Sequence, residues 1–366
     1  MKIPDRLVSL DVFRGLTILL MIIVNTPGSW AYVYPPFRHS EWHGCTPTDL
    51  VFPFFLFIVG VAMWFSFKKY EHHRSLQAMK KILKRTILIF LIGLFLNAFP
   101  KFNFESLRVM GVLQRIALAY GLGAIVVLLL PRWGRWTIAF LVLIAYWVIL
   151  ATGSSSPFSL EHNIAGGIDI ALFGSNHVYK GFGIPFDPEG LLSTFTAMTN
   201  VILGYLIGEI IYMSKDYKSL LKRIIPIGVA GVVLGLIWNI VFPINKPLWT
   251  SSYVLYTCGY ATLLLSLFIW LIDIKGFKQW TKPLLVFGTN PLIIFVLSIV
   301  WVKVIIYLVH FGQGDNRTNG YAWMYQNIFV PFAGNMNGSL AFALFHGVLF
   351  WVIGYILYRK KIFIKI

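Results

Sequence analysis

Charged side chains are scarce in this sequence: Asp, Glu, Lys and Arg make up 12% of its 366 residues, about half the share found in ordinary soluble domains. Carboxylates are the scarcer sign, with 14 Asp and Glu against 31 Lys and Arg. A chain that is 58% hydrophobic and this poor in charge cannot hide its apolar surface inside one water-facing globule. Cysteine is nearly absent. Cys45 and Cys258 provide no disulfide framework and no ligand spacing, so no metal is expected. A Gly-rich phosphate fingerprint between strand and helix is missing, as are low-complexity tracts and the internal repeat typical of many secondary transporters.

What the sequence does have is apolar runs approaching or exceeding the roughly 20 residues that cross a bilayer as a helix. Ten are read, at 11–26, 48–67, 82–97, 109–130, 136–152, 191–213, 224–242, 251–272, 284–309 and 339–358. The expected fold class is therefore all-α: one polytopic transmembrane bundle over residues 1–366, with lipid as its solvent. Lys68, Lys69, the Lys80 to Arg85 group, Lys215 to Arg223, Lys275 to Lys282 and Arg359 to Lys361 all fall on the N-terminal side of this topology. The positive-inside rule then places both termini in the cytoplasm, and it accounts for the net charge of +17 without nucleic acid. Residues 1–6 are too short for a signal peptide's charged region and cleavage site, so the first run is read as a retained helix. The long loops 27–47, 153–190 and 310–338 fall on the opposite side, where the working surface is expected.

Ionisable residues within or beside spans are costly in lipid, so each needs a partner, a helix end or a polar cavity. Asp11 and Arg14 are three apart on one helix face near the cytoplasmic end of the first span, a spacing that fits an ion pair or a cytoplasmic donor site. Thr46, Pro47 and Asp49 have the order of a capping box. The segment Phe37-Arg38-His39-Ser40-Glu41-Trp42-His43-Gly44 is the densest group of titratable and aromatic side chains at the outer edge. Histidine is the usual general base near neutral pH, so His39 or His43 is a candidate, with Glu41 or Asp49 to orient the ring. Gln114 and Arg115 lie within the fourth span and require polar company, either an ion pair with Asp49, loop carbonyls, or the cavity that His39 faces. His346, deep in the last span, is read as a hydrogen-bonded packing residue.

These segments resemble the transmembrane acetyltransferase family that includes heparan-α-glucosaminide N-acetyltransferase and its bacterial relatives. The likeness runs through Arg6 to Gly15, Val24-Asn25, Phe37-Arg38-His39 with Trp42-His43-Gly44, and Asp49 to Phe57. It continues through Gly111 to Arg115, Asp187 to Leu191, Pro243 to Lys246 with Leu248-Trp249, and the segment around Asn290. The resemblance implies a membrane enzyme with a homodimer as its assembly, and the isoleucine- and lysine-rich composition without a targeting segment points to the cytoplasmic membrane of a bacterium. It would take acetyl from cytosolic acetyl-CoA and place it on an amino-sugar or hydroxyl acceptor at the far face. His39 then matches the family's active-site histidine, as general base or transient acetyl carrier, and Asn25 would donate to the acetyl carbonyl; Asp49 keeps the ring-orienting role read from the residues. Asp11, Arg14, Gln114 and Arg115 are the candidates for the donor, whose phosphates require cations, which Arg14 and the Lys80 to Arg85 cluster could supply unless they serve only as positive-inside anchors. The longer spacing from Asn25 to His39 makes acceptor contacts the least transferable part. An amino-sugar transporter is the alternative reading.

Overall fold

The computed structural model describes residues 7–314 and 317–364; the reading of residues 1–6 as the lead into a retained helix lies outside them. Among the described residues the protein is all-α apart from one two-residue hairpin, His310–Phe311 with Thr318–Asn319. Among the same residues, eight helical segments are long and apolar enough to cross a membrane. They contain α1 (Val8–Asn25), α2 (Val51–Phe67), α4 (Val112–Leu129), α5 (Arg132–Thr152), α7 (Leu191–Met213), α8 (Tyr217–Trp238), α9 (Ser251–Phe268) and α13 (Val330–Arg359). Helices α10 (Thr281–Thr289) and α11 (Pro291–Tyr307) add a ninth if taken as one span bent by 83°. The remaining expected span is α3 (Leu76–Ala98), 23 residues long, whose first turns carry Lys80, Lys81, Lys84 and Arg85 and dilute its apolar run.

The helices approach closely where glycine replaces a side chain. A Cβ on Gly60 of α2 would lie 2.0 Å from the Val201 carbonyl oxygen of α7, and one on Gly204 would lie 2.1 Å from that of Phe57. Gly15 of α1 meets Leu284 of α10 in the same way. Such small-residue contacts let backbones pack in lipid, where tail and side chain are equally apolar and shape must supply the affinity.

Three features depart from the sequence reading. The run 284–309 is broken at Asn290 (φ −132°, ψ 52°), because Pro291 lacks an amide and its ring displaces the preceding residue from the helical region. Asn290 Nδ2 donates to the Ile362 carbonyl and its Oδ1 accepts from the Ile364 amide, both at 2.9 Å, so C-terminal residues seal the break. The loop 153–190 contains α6 (Ile164–Phe173), capped by Asn163, whose Oδ1 accepts from the Gly166 amide at 2.8 Å. Its Gly166-Gly167 pair has poor helix propensity and disguised it. The last helical segment begins at Gly320, with α12 (Gly320–Met324) running through a π turn into α13.

The basic connections α2–α3, α4–α5, α7–α8 and α9–α10 share one end of the bundle, and the longer loops occupy the other. Lys303, inside α11, donates to the carbonyls of Leu96 and Phe99 and so caps α3. His346 has the bonded packing role expected of it: Trp301 Nε1 donates to its Nε2 at 3.2 Å, and its Nδ1 lies 2.9 Å from the Phe342 carbonyl oxygen.

Candidate active site

At the long-loop end, α1, α2, α4 and α11 contribute to the walls of a cavity of about 600 Å³. Asn25, His39 and Asp49 all line it. Asn25 is the last residue of α1, and His39 lies on the loop before α2. Asp49, fully buried, belongs to the 3₁₀ turn Pro47–Leu50 that opens α2. That turn has the capping box expected from Thr46 and Asp49.

The Asp49 carboxylate divides its two oxygens between structure and chemistry. Oδ2 accepts from the Ser40 amide, the Thr46 amide and the Thr46 hydroxyl, each at 3.0 Å. Oδ1 lies 2.6 Å from His39 Nδ1 and 3.3 Å from Lys246 Nζ. With Asp49 ionised, Nδ1 carries the proton that it donates, which leaves Nε2 a lone pair for an incoming group. Lys246 Nζ is also 3.0 Å from Nδ1, and with that proton committed to Asp49 the ammonium pairs with the carboxylate. His43 does not join this arrangement. Its Nδ1 lies 3.3 Å from the donor Asn245 Nδ2, and burial holds its pKa below the ordinary histidine value.

Another part of the cavity wall carries a second charged group. Arg108 donates through Nε and Nη2 to the two oxygens of Asp187 (2.9 and 2.6 Å) and through Nη2 to Glu189 Oε2 (2.5 Å). Although burial opposes its charge, these carboxylates hold the guanidinium pKa above its ordinary value. Trp249 forms part of the floor, with φ 51° in the left-handed region, a conformation that costs a non-glycine residue about 1–3 kcal/mol. The fold keeps it there with three bonds: Trp249 Nε1 donates to Asn200 Oδ1 (2.9 Å), the Trp249 amide donates to the Lys246 carbonyl (3.0 Å), and the Trp249 carbonyl accepts from the Thr196 hydroxyl (2.8 Å).

Gln114 and Arg115 do not line the cavity. Arg115 is fully buried and lies 4.7 Å from the centre of the Trp249 ring, with Nη2 donating to the Gly190 carbonyl (3.2 Å) and to Ser193 Oγ. Its place is beneath the cavity floor, the loop-carbonyl alternative of the sequence reading. Gln114 packs against Gly93 and Gly111.

A second cavity of about 300 Å³ lies between the same four helices and α3, toward the basic end. Arg14, Arg85, Ser66 and Tyr120 supply its polar groups. The expected Asp11–Arg14 ion pair is present at 2.7 Å, and Arg14 Nε donates to the Gly288 carbonyl at 2.9 Å. Arg85 stacks its guanidinium 4.5 Å from the Tyr120 ring centre, while its Nε is buried without a hydrogen-bond partner among the described residues. Phe52 lines the first cavity and Phe55 the second; Val112 and Ile116 do the same on α4. About one helical turn, ~5 Å, therefore separates the two chambers.

Lys246, Arg108, Asp187 and Glu189 were absent from the candidates drawn from the sequence, although each lies in or beside a segment of the family likeness. Lys246 is 207 residues from His39, and neither spacing nor periodicity links such positions. Asp169, on α6, lies behind this wall. Burial pushes its carboxyl up to about 6, although the Leu191 amide that it accepts at 2.9 Å pulls the other way. The folded state thus holds this proton more tightly than the unfolded chain does. Its contribution is full below about pH 4 and is lost as pH rises through about 6, by at most about 3 kcal/mol. Thermal unfolding across pH 4.5–7.5 tests this: Asp169→Asn keeps an oxygen for Leu191 and is expected to flatten this part of the profile.

Fold and site define a multi-pass helical membrane protein with a carboxylate-held histidine in a cavity between its spans. Residues 6–169 match the family model described as heparan-alpha-glucosaminide N-acetyltransferase, catalytic, in line with the likeness read from the sequence. Heparan-alpha-glucosaminide N-acetyltransferase of Homo sapiens is 29% identical over 426 aligned residues, covering 100% of this chain and 60% of the relative. The Mus musculus protein of the same name is 29% identical over 424, covering 99% and 61%. The chain spans about three fifths of the length of these relatives.

Proposed function

We propose that the chain is a membrane-embedded acetyltransferase that takes acetyl from acetyl-CoA at its basic, cytoplasmic end and transfers it to an acceptor in the His39 cavity. The observation that carries this reading is the pair of chambers between the same four helices. Among the described residues, one contains a cation with a buried, unpartnered N–H, and the other contains a histidine whose Nε2 has no partner. Arg14 and Arg85 suit the donor's phosphates, and the thinner, apolar part of the donor can pass the Phe52–Phe55 level. From Arg14 to Asn25 along α1 is ~16 Å, a reach that suits an extended carrier arm.

In the His39 cavity, the acceptor nitrogen attacks the thioester carbonyl while His39 Nε2 removes its proton. The N–C bond forms, the C–S bond breaks, and the proton passes to the departing thiolate, giving the CoA thiol. Asp49 stabilises the imidazolium formed on the way, and Asn25, which ends α1 and lines the cavity, donates to the carbonyl oxygen as it gains charge. Calorimetry with acetyl-CoA, followed by acceptor-dependent thiol release, tests the reading, and absence of donor binding overturns it. Arg85→Gln is expected to weaken acetyl-CoA about tenfold or more but to leave acetyl-pantetheine, which lacks the phosphates, unaffected.

A further inference from the structure

We infer that Glu189 selects an amine as the acceptor, with Arg108 beside it holding a neighbouring sugar oxygen; this rests on the acetyl-transfer reading above. The charged atoms around the His39 cavity are mostly committed to one another. Both oxygens of Asp49 are occupied, as given above, and Lys246 pairs with Asp49. Behind the wall, Asp187 is saturated. Its Oδ1 accepts from Arg108 and the Glu189 amide (3.0 Å), and its Oδ2 accepts from Arg108 and the Tyr179 amide (3.3 Å).

Glu189 differs from both. It lines the cavity and its Oε2 is held by Arg108. Its Oε1 has no donor among the described residues and is not among the buried unpartnered atoms, so it opens to the cavity. Arg108 Nη1 is likewise open beside it. The pair offers one anionic acceptor next to one cationic donor, complementary to an ammonium with an adjacent hydroxyl. Net charge agrees: Asp49, Asp187 and Glu189 face Arg108 and Lys246, an excess of one negative charge. The layer beneath, Arg115 with Asp169, adds none once Asp169 is ionised above about pH 6. Tyr179, Phe182 and Trp249 provide aromatic walls for the apolar faces of a sugar ring. An ammonium bound to a carboxylate makes a charge-assisted bond that a hydroxyl in the same place matches only in part. Glu189 is therefore a specificity residue that recognises the acceptor as an ammonium; the ammonium releases one proton to solvent to become the neutral amine that attacks, and His39 moves the second proton to the thiolate.

The test is calorimetry on the full chain in detergent with glucosamine and with glucose, which has a hydroxyl in place of the amine. The wild type is expected to bind glucosamine about tenfold or more tighter than glucose. Glu189→Gln should erase that preference, Glu189→Asp, which keeps the charge, should restore part of it, and acetyl-CoA binding should be unchanged in both. A merely structural role for Glu189 would weaken both sugars together, because they share the rest of the ring. Retention of the preference in Glu189→Gln overturns the inference, as does a wild type without one, a comparison that stands even if the variants fail to fold. Loss of the preference in Glu189→Gln with no thiol release from any form supports the amine anchor and removes the acetyl-transfer reading.

Discussion

His39→Ala is expected to lower acceptor-dependent release of the CoA thiol by about 10²–10⁴-fold, the range that a positioned general base contributes. Donor binding should survive, because the cations that suit the donor line the other chamber. Among the described residues the ring is held only through Nδ1, and His39 is an exposed loop residue, so its removal is expected to leave the bundle intact. The experiment measures calorimetric binding of acetyl-CoA and thiol release on the same preparations. Loss of donor binding together with turnover would assign His39 a structural role instead.

Asp49→Asn is expected to have the second largest effect, and it acts at two levels. The carboxylate accepts on both oxygens: three donors on Oδ2, and on Oδ1 the His39 ring and Lys246. An amide offers one oxygen and one NH₂ group, so either the turn before α2 or the histidine then faces a donor where it requires an acceptor. If the oxygen stays with the turn, the imidazole loses its orienting partner and Lys246 its counter-charge. Turnover should fall about 10²-fold or more, and stability by about 1–3 kcal/mol from the disturbed buried bonds. In a His39→Ala background the same substitution should cost stability but little further rate, because the two residues act as a unit. An additive rate loss in the double variant would separate Asp49 from the histidine.

Much of this arrangement could be read before the structure. Apolar run lengths and the distribution of Lys and Arg identified the membrane bundle, and the dense segment Phe37 to Gly44 drew attention to the loop before α2. The order Thr46-Pro47-Thr48-Asp49 identified the capping box, because capping is local and leaves a local trace. The spacing of residues could not show that the other carboxylate oxygen turns to His39, nor could it decide between His39 and His43 or between Glu41 and Asp49. Lys246 and Glu189 were hidden for a different reason: they reach the cavity from loops more than a hundred residues away, and only tertiary packing brings them there. The break at Asn290 had a local signal in Pro291, but the surrounding apolar run concealed it. Gln114 and Arg115 were recognised as polar groups requiring partners, yet which face of α4 they would occupy depended on the packing of α7 and Trp249.

The most direct test of the central claim places donor and acceptor on opposite sides of a membrane. Proteoliposomes of the full chain, sorted for a single orientation, receive acetyl-CoA with a labelled acetyl group at the basic end and glucosamine at the His39 end. The account predicts labelled N-acetylglucosamine on the acceptor side and unlabelled CoA on the donor side, with neither acetyl-CoA nor glucosamine crossing. Product that forms only when both substrates share one side would contradict transfer between the two chambers. Passage of glucosamine without any acetyl donor would contradict the enzyme and identify a transporter.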